Sequence, residues 1–240
     1  MTEPALLAVV HGSADPRAEQ VLDALIARVR SERPGLVAVL AHLGFSEPSV
    51  PAALDSLARQ GVDEVVVVPL LLTAAYHAKV DLPALLSQAA LDHPQLAIRQ
   101  AEVLGPHPSL FELLRRRLSE AGAEPGMSLA LAAVGTSDPA ANAELADVAA
   151  SLGATIGFAS GSPAITDVVA DLRARGARQV ALATYVLAPG ELADRLHDAG
   201  ADVVTEVLGA APEVVDVVLS RYDAALAGRA PSLDQLATSA

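Results

Sequence analysis

Short runs of aliphatic residues alternate along the chain with segments in which apolar side chains recur every three or four positions. The runs fall at 5–10, 36–41, 65–72, 96–101, 129–134, 154–158, 180–185 and 203–207. A continuous apolar run bounded by loops is the pattern of a strand buried on both faces. Between the runs, Val21, Leu22, Leu25, Ile26 and Val29 follow a helical stripe, as do Ile165, Val168, Val169 and Leu172, and Val214, Val215, Val218 and Leu219. Strands alternating with amphipathic helices predict an α/β fold built of parallel sheets, each crossover made by a helix.

The pattern runs through twice. Val10-His-Gly-Ser-Ala-Asp-Pro16 resembles Val134-Gly-Thr-Ser-Asp-Pro139, Gly44-Phe45 before a helix resembles Gly157-Phe158 before a helix, and Gly61 is matched by Gly176. This predicts two similar four-stranded halves of flavodoxin-like topology. Gly and Pro cluster near 122–126, so the expected boundaries are 1–124 for the first half and 125–228 for the second, with a polar tail over 229–240.

Composition narrows the chemistry. The chain has no cysteine, so any metal site must use His and carboxylates. A net charge of −13 repels nucleic acid and anionic membranes, and aromatics at 2% offer few stacking platforms. The first apolar run is too short for a signal peptide core or a membrane span. A cytoplasmic protein is expected, with no nucleic-acid or membrane partner, as a monomer or a homodimer. Among sixteen basic residues Lys79 is the one lysine.

In open parallel sheets ligands bind beyond the carboxyl ends of the strands, where the strand order reverses. With the order 2-1-3-4, that point lies between strands one and three, whose following loops carry His11 and His77. Two imidazoles facing one cleft can ligate a first-row divalent ion or accept a proton near neutral pH. His42 ends the second strand, and either the site or solvent can claim it. The Gly12-Ser13 turn offers backbone N–H groups to an anion, and Ser13 or Asp15 can cap the first helix. His93 and His107 read as helix-end residues, and His197 as lying on the polar side of a short helix. The second half has Gly135 in place of His11 and no histidine or lysine in the loop after its third strand, so the first half is expected to carry the chemistry.

Three stretches resemble the class II tetrapyrrole chelatases of the sirohydrochlorin type, the CbiX and SirB proteins. They are the opening strand with His11-Gly12-Ser13, the turn Glu47-Pro48-Ser49-Val50-Pro51, and residues 65–83 with His77-Ala-Lys79-Val-Asp81-Leu-Pro83. The resemblance spans the first half and, more faintly, the second. It implies insertion of a divalent metal into sirohydrochlorin, Fe2+ for siroheme or Co2+ for the cobalamin precursor, with release of two protons. It also implies a lyase with His11 and His77 as its paired catalytic and metal-binding histidines. No tightly bound cofactor is expected, and Fe2+, Co2+ or Ni2+ is a substrate. Family members often carry Phe-Leu-Glu on the second strand, and Gly44 stands where that Glu would be. Glu47 and His42 are the alternatives for a third metal ligand. The substrate that the resemblance implies is a polycarboxylate, so Lys79, Arg17 and the Gly12-Ser13 N–H groups are expected to anchor it against the overall negative charge. Two other functions compete: a non-catalytic tetrapyrrole or metal carrier on the same scaffold, and a phosphate-ligand enzyme using the Gly12-Ser13 turn.

Overall fold

The computed structural model describes residues 3–44 and 46–228. The expected tail at 229–240 and Phe45 lie outside the described residues. Among the described residues eight strands and eight α-helices alternate, as the hydrophobic pattern requires. The first sheet contains β1 (Ala5–Val10), β2 (Ala38–His42), β3 (Glu64–Pro69) and β4 (Ala97–Gln100), in the spatial order β2-β1-β3-β4, all parallel. The second contains β5 (Ser128–Ala133), β6 (Ala154–Phe158), β7 (Val180–Tyr185) and β8 (Val203–Val204), in the order β6-β5-β7-β8. The last strand is two residues long, shorter than the apolar run at 203–207 suggests. In each sheet the order reverses between the first and third strands, as expected.

Residues of β1 alternate between two buried faces. Ala5, Leu7 and Val9 pack with Leu54 and Leu57 of α2 (Val50–Arg59) and Leu82 and Leu86 of α3 (Leu82–Asp92). The intervening Leu6, Ala8 and Val10 are buried as well. Helix α1 (Pro16–Glu32) buries Leu22, Leu25, Ile26 and Val29, the stripe read from its spacing. It begins where Asp15 accepts from the Arg17 N–H and Pro16 occupies the first turn, a start in which the missing proline N–H costs nothing. In the second sheet, Ala130, Ala132, Val180 and Leu182 pack with Val168 and Val169 of α6 (Ile165–Ala174) and Leu196 of α7 (Glu191–His197).

The chain divides into two compact units, but not at 124. One unit comprises the described residues up to Gly105 together with those from Val215 onward; the other is Pro106–Val214. Helix α4 (Pro108–Glu120), expected with the first half, packs against β7. Most of α8 (Pro212–Leu226), expected with the second, belongs to the first unit. There the Tyr222 hydroxyl donates to the Pro4 carbonyl, Arg221 pairs with Glu102, and Arg33 forms two hydrogen bonds with Asp223 while lying over the Tyr222 ring. An amphipathic stripe records that a helix has a sheet to cover. It does not record which sheet, and the two halves offer alike surfaces. Among the described residues no helix is long and apolar enough to cross a membrane.

Candidate functional site

The carboxyl edge of the first sheet is assembled around one close backbone approach. As the chain leaves β1 and β2 together, Leu43 N donates to Val10 O and Gly44 N to His11 O. Gly12 then turns with φ +96°, and a Cβ at that position would lie 1.9 Å from the Gly44 carbonyl oxygen. Only glycine satisfies both the left-handed backbone and the contact. The turn closes when Ser13 Oγ accepts from Asp15 N and Ser46 Oγ donates to Ser13 O. The Ser13 hydroxyl is thus part of the turn, and Asp15 rather than Ser13 caps α1.

The connection from β3 to α3 delivers the second histidine. After β3, residues 70–81 extend beyond the sheet edge and return through a wide π-type turn, His77–Asp81, that runs into α3. The His77 ring lies 4.5 Å, centre to centre, from the His11 ring at an interplanar angle of 39°. The pairing expected from the strand order is therefore formed. His77 Nδ1 sits 2.6 Å from Asp81 Oδ2, one turn on. A carboxylate can only accept, so Nδ1 carries the hydrogen and in the neutral ring Nε2 is left with the lone pair for a metal or a proton. Asp81 is a site residue that spacing could have singled out, as its four-residue offset from His77 is the reach of one helical turn.

Gln100, at the end of β4, is a second residue near the site that the sequence reading did not single out. It is buried and donates from Nε2 to the Ala78 carbonyl at 3.0 Å, fastening the π-type turn to the sheet, while its Oε1 has no hydrogen-bond partner. A polar residue at the end of a strand gives no sign from sequence that it reaches a loop 22 positions away.

Electrostatics keep His11 neutral. Partial desolvation lowers its pKa below the ordinary imidazole value, the adjacent His77 adds to the lowering, and Asp81 opposes it. At neutral pH its ring is an acceptor or a ligand rather than a cation.

The other expected ligands are elsewhere. His42 is buried, with Nδ1 3.3 Å from the Pro48 carbonyl and Nε2 3.1 Å from Glu19 Oε1. Both ring nitrogens face partners within the fold, because β2 continues to residue 42 and carries the side chain inward. Glu47 is exposed and accepts from Ser49 N at 2.8 Å, at the start of α2. Neither joins His11 and His77, and among the described residues no cluster of three His, Cys, Asp or Glu side chains could hold a metal ion. Arg17 is gripped by its own neighbour, with Nε and Nη2 on the Asp15 carboxylate at 2.6–3.1 Å. Its charge is therefore largely answered within the turn. Lys79 is exposed within the π-type turn, two residues from His77.

The second sheet repeats the architecture and corrects the alignment of the halves. Asp138 caps α5 (Pro139–Ser151) as Asp15 caps α1, and Thr136 Oγ1 accepts from Asp138 N as Ser13 Oγ does from Asp15 N. Gly135 has φ +87°, and a Cβ there would lie 2.5 Å from the Ser160 carbonyl oxygen. The counterpart of Gly12 is therefore Gly135, and that of His11 is Val134, not Gly135. Ser160 N donates to Val134 O where Gly44 N donates to His11 O, so Gly44 corresponds to Ser160 rather than Gly157. By the same register buried His42 stands where buried Phe158 stands, a core position in both halves. The helix-end readings of His93 and His107 agree with the structure: His93 follows α3 as its C-cap, and His107 Nδ1 accepts from Ser109 N at the start of α4.

A family model described as CbiX matches residues 5–121 and again 128–225, one copy on each half. A sirohydrochlorin cobaltochelatase of Priestia megaterium is 28% identical over 207 residues, which cover 80% of this chain and 67% of the relative. A sirohydrochlorin ferrochelatase of the same organism is 27% identical over 205 residues, covering 81% and 77%. Among solved structures, SirB from Bacillus subtilis with Fe3+ superimposes with a TM-score of 0.83 at 22% identity, over 95% of this chain and 97% of that one. The paired histidines at the strand-order reversal, the repeated sheets and the two-fold family match lead to one assignment: the chain belongs to the CbiX family.

Proposed function

We propose that this protein is a sirohydrochlorin chelatase, a lyase that inserts a divalent metal into sirohydrochlorin with release of two protons. The observation that carries the reading is the His11–His77 pair at the open edge of the first sheet, with Asp81 behind His77. Insertion requires the metal to exchange water for ring nitrogens while two pyrrolic N–H protons depart. Imidazole nitrogens on neighbouring rings can hold the ion weakly enough to surrender it, and a ring not ligating it can accept a proton. Asp81 presents Nε2 of His77 for either task, and desolvation leaves His11 unprotonated for the other. The metal, Fe2+ or Co2+, and the macrocycle are both substrates. His11 and His77 make up the catalytic pair; Gly12 and Ser13 shape the turn; Lys79, two residues from His77, and Arg17 are the cations that would meet substrate carboxylates.

The test is anaerobic mixing of the protein with sirohydrochlorin and Co2+ or Fe2+, following the absorption change of the macrocycle. Wild type is expected to accelerate insertion over the uncatalysed rate, and His11→Ala and His77→Ala to lose about 100-fold or more. Macrocycle binding without acceleration would instead identify a carrier, and no binding at all would overturn the reading.

A further inference from the structure

Large apolar side chains exposed on this protein are few, and they are not scattered evenly. Among the described residues they are Val37, Tyr76, Val80 and Leu91. Val37 precedes β2 and Leu91 lies at the end of α3, both at the amino edge of the first sheet. Tyr76 and Val80 are at the carboxyl edge, on either side of His77 and four residues apart. Tyr76 is 59% exposed and Val80 47%. The chain has three Tyr, three Phe and no Trp; Tyr185, Tyr222 and Phe158 are buried and Phe111 is half-buried. Tyr76 is thus the exposed aromatic among the described residues, and its ring stands edge-on to His77, 80° between planes and 6.0 Å between centres.

Resting on the chelatase reading, we propose that Tyr76 and Val80 form the platform on which the face of the tetrapyrrole lies, so that they select the macrocycle while His11 and His77 handle the ion. A tetrapyrrole is apolar on its faces and, in sirohydrochlorin, anionic around its rim. A protein of net charge −13 attracts no such rim from a distance, so affinity must come from a local apolar surface beside the metal-transfer groups. Tyr76 and Val80 supply that surface in contact with the His77 turn, and an aromatic ring gives it at little conformational cost. Lys79, between them in the turn, is placed for the rim. The platform contacts ring atoms and not the metal, so it governs macrocycle affinity separately from metal affinity.

The experiment measures both affinities in full-length variants: binding of metal-free sirohydrochlorin by absorption or fluorescence titration, and Co2+ binding by calorimetry without macrocycle. Tyr76→Ser is expected to weaken sirohydrochlorin binding about tenfold and Val80→Ser about threefold. KM should rise in step while Co2+ affinity and kcat hold. Tyr76→Phe should bind as wild type does, and Leu91→Ser, a change of like polarity at the far edge, should alter nothing. Wild-type macrocycle affinity in Tyr76→Ser, an equal loss in Leu91→Ser, or a loss of Co2+ binding in Tyr76→Ser would each overturn the platform. Failure of the wild type to bind sirohydrochlorin at all would instead overturn the chelatase reading, and the platform with it.

Discussion

The connection from β3 to α3 and its counterpart from β7 to α7 leave equivalent strands and end very differently. The first uses residues 70–81 to reach α3, adding the π-type turn that carries His77, Lys79 and Asp81; the second uses residues 186–190 to reach the shorter α7. The other connections, after β1 and β5, have kept the same turn, glycine and cap in both halves, and differ at one position that matters, His11 against Val134. Backbone shape is thus alike in both halves where packing requires it, and the candidate pair arises from two local differences: His11 in a connection of equal length and His77 in the longer one. Glycine positions report the fold, and a side-chain exchange together with a lengthened loop marks the candidate site.

The comparison can be broken most forcefully at the glycines. Gly12→Ala would push a methyl group into the Gly44 carbonyl and Gly135→Ala into that of Ser160. Each is expected to cost about 3 kcal/mol, seen as a fall of about 6–12 °C in Tm. Gly12→Ala should abolish insertion as well, whereas Gly135→Ala should retain it at temperatures where the protein stays folded. Loss of insertion in a folded Gly135→Ala protein would show that the second half takes part directly.

The longer connection is tested by Asp81→Asn. Removing the carboxylate that fixes His77 is expected to lower Co2+ affinity about 10- to 100-fold, read from visible absorption titrations, with the thermal transition little changed because Asp81 is partly exposed. An unchanged affinity would mean that the turn alone orients the ring. A gain is available at Gly44: no atom lies within 4 Å of the Cβ it lacks, and its amide is bonded to the His11 carbonyl. Gly44→Glu is therefore expected to fold, to add a carboxylate beside the pair and to tighten Co2+ binding about tenfold, in calorimetric titration.

The smallest effect is a titration. In metal-free protein, His11 is expected to titrate below the ordinary imidazole value of about 6.5, through desolvation first and the His77 charge second. The unfolded chain then binds its proton more readily than the folded one. The associated stability is complete above that value and is lost as pH falls through the lower folded pKa. Imidazole NMR shifts would follow this, and His77→Ala should move His11 upward. A His11 titrating at or above 6.5 in wild type contradicts the desolvated setting.

Much of this is legible from residues alone. Runs of valine and alanine mark the strands, their alternation with striped helices implies parallel sheets, and the reversal between strands one and three puts His11 and His77 together. His42 is open to misreading because a histidine at a strand end looks the same whether the last residue faces solvent or the core. Matching the similar letters Val10 and Val134 aligns the halves one residue out, whereas the caps Asp15 and Asp138 set the register. Gln100 and the exchange of α4 and α8 depend on contacts between distant segments, which local periodicity does not encode.

That exchange has a consequence during synthesis. The first unit is discontinuous, needing the residues from Val215 onward in addition to those up to Gly105. At about 5–20 residues per second, translation of the intervening segment takes roughly 5–22 s. For that interval the nascent sheet bearing His11 and His77 is finished in sequence but lacks α8, so its unit completes its packing only once the residues from Val215 onward have been made.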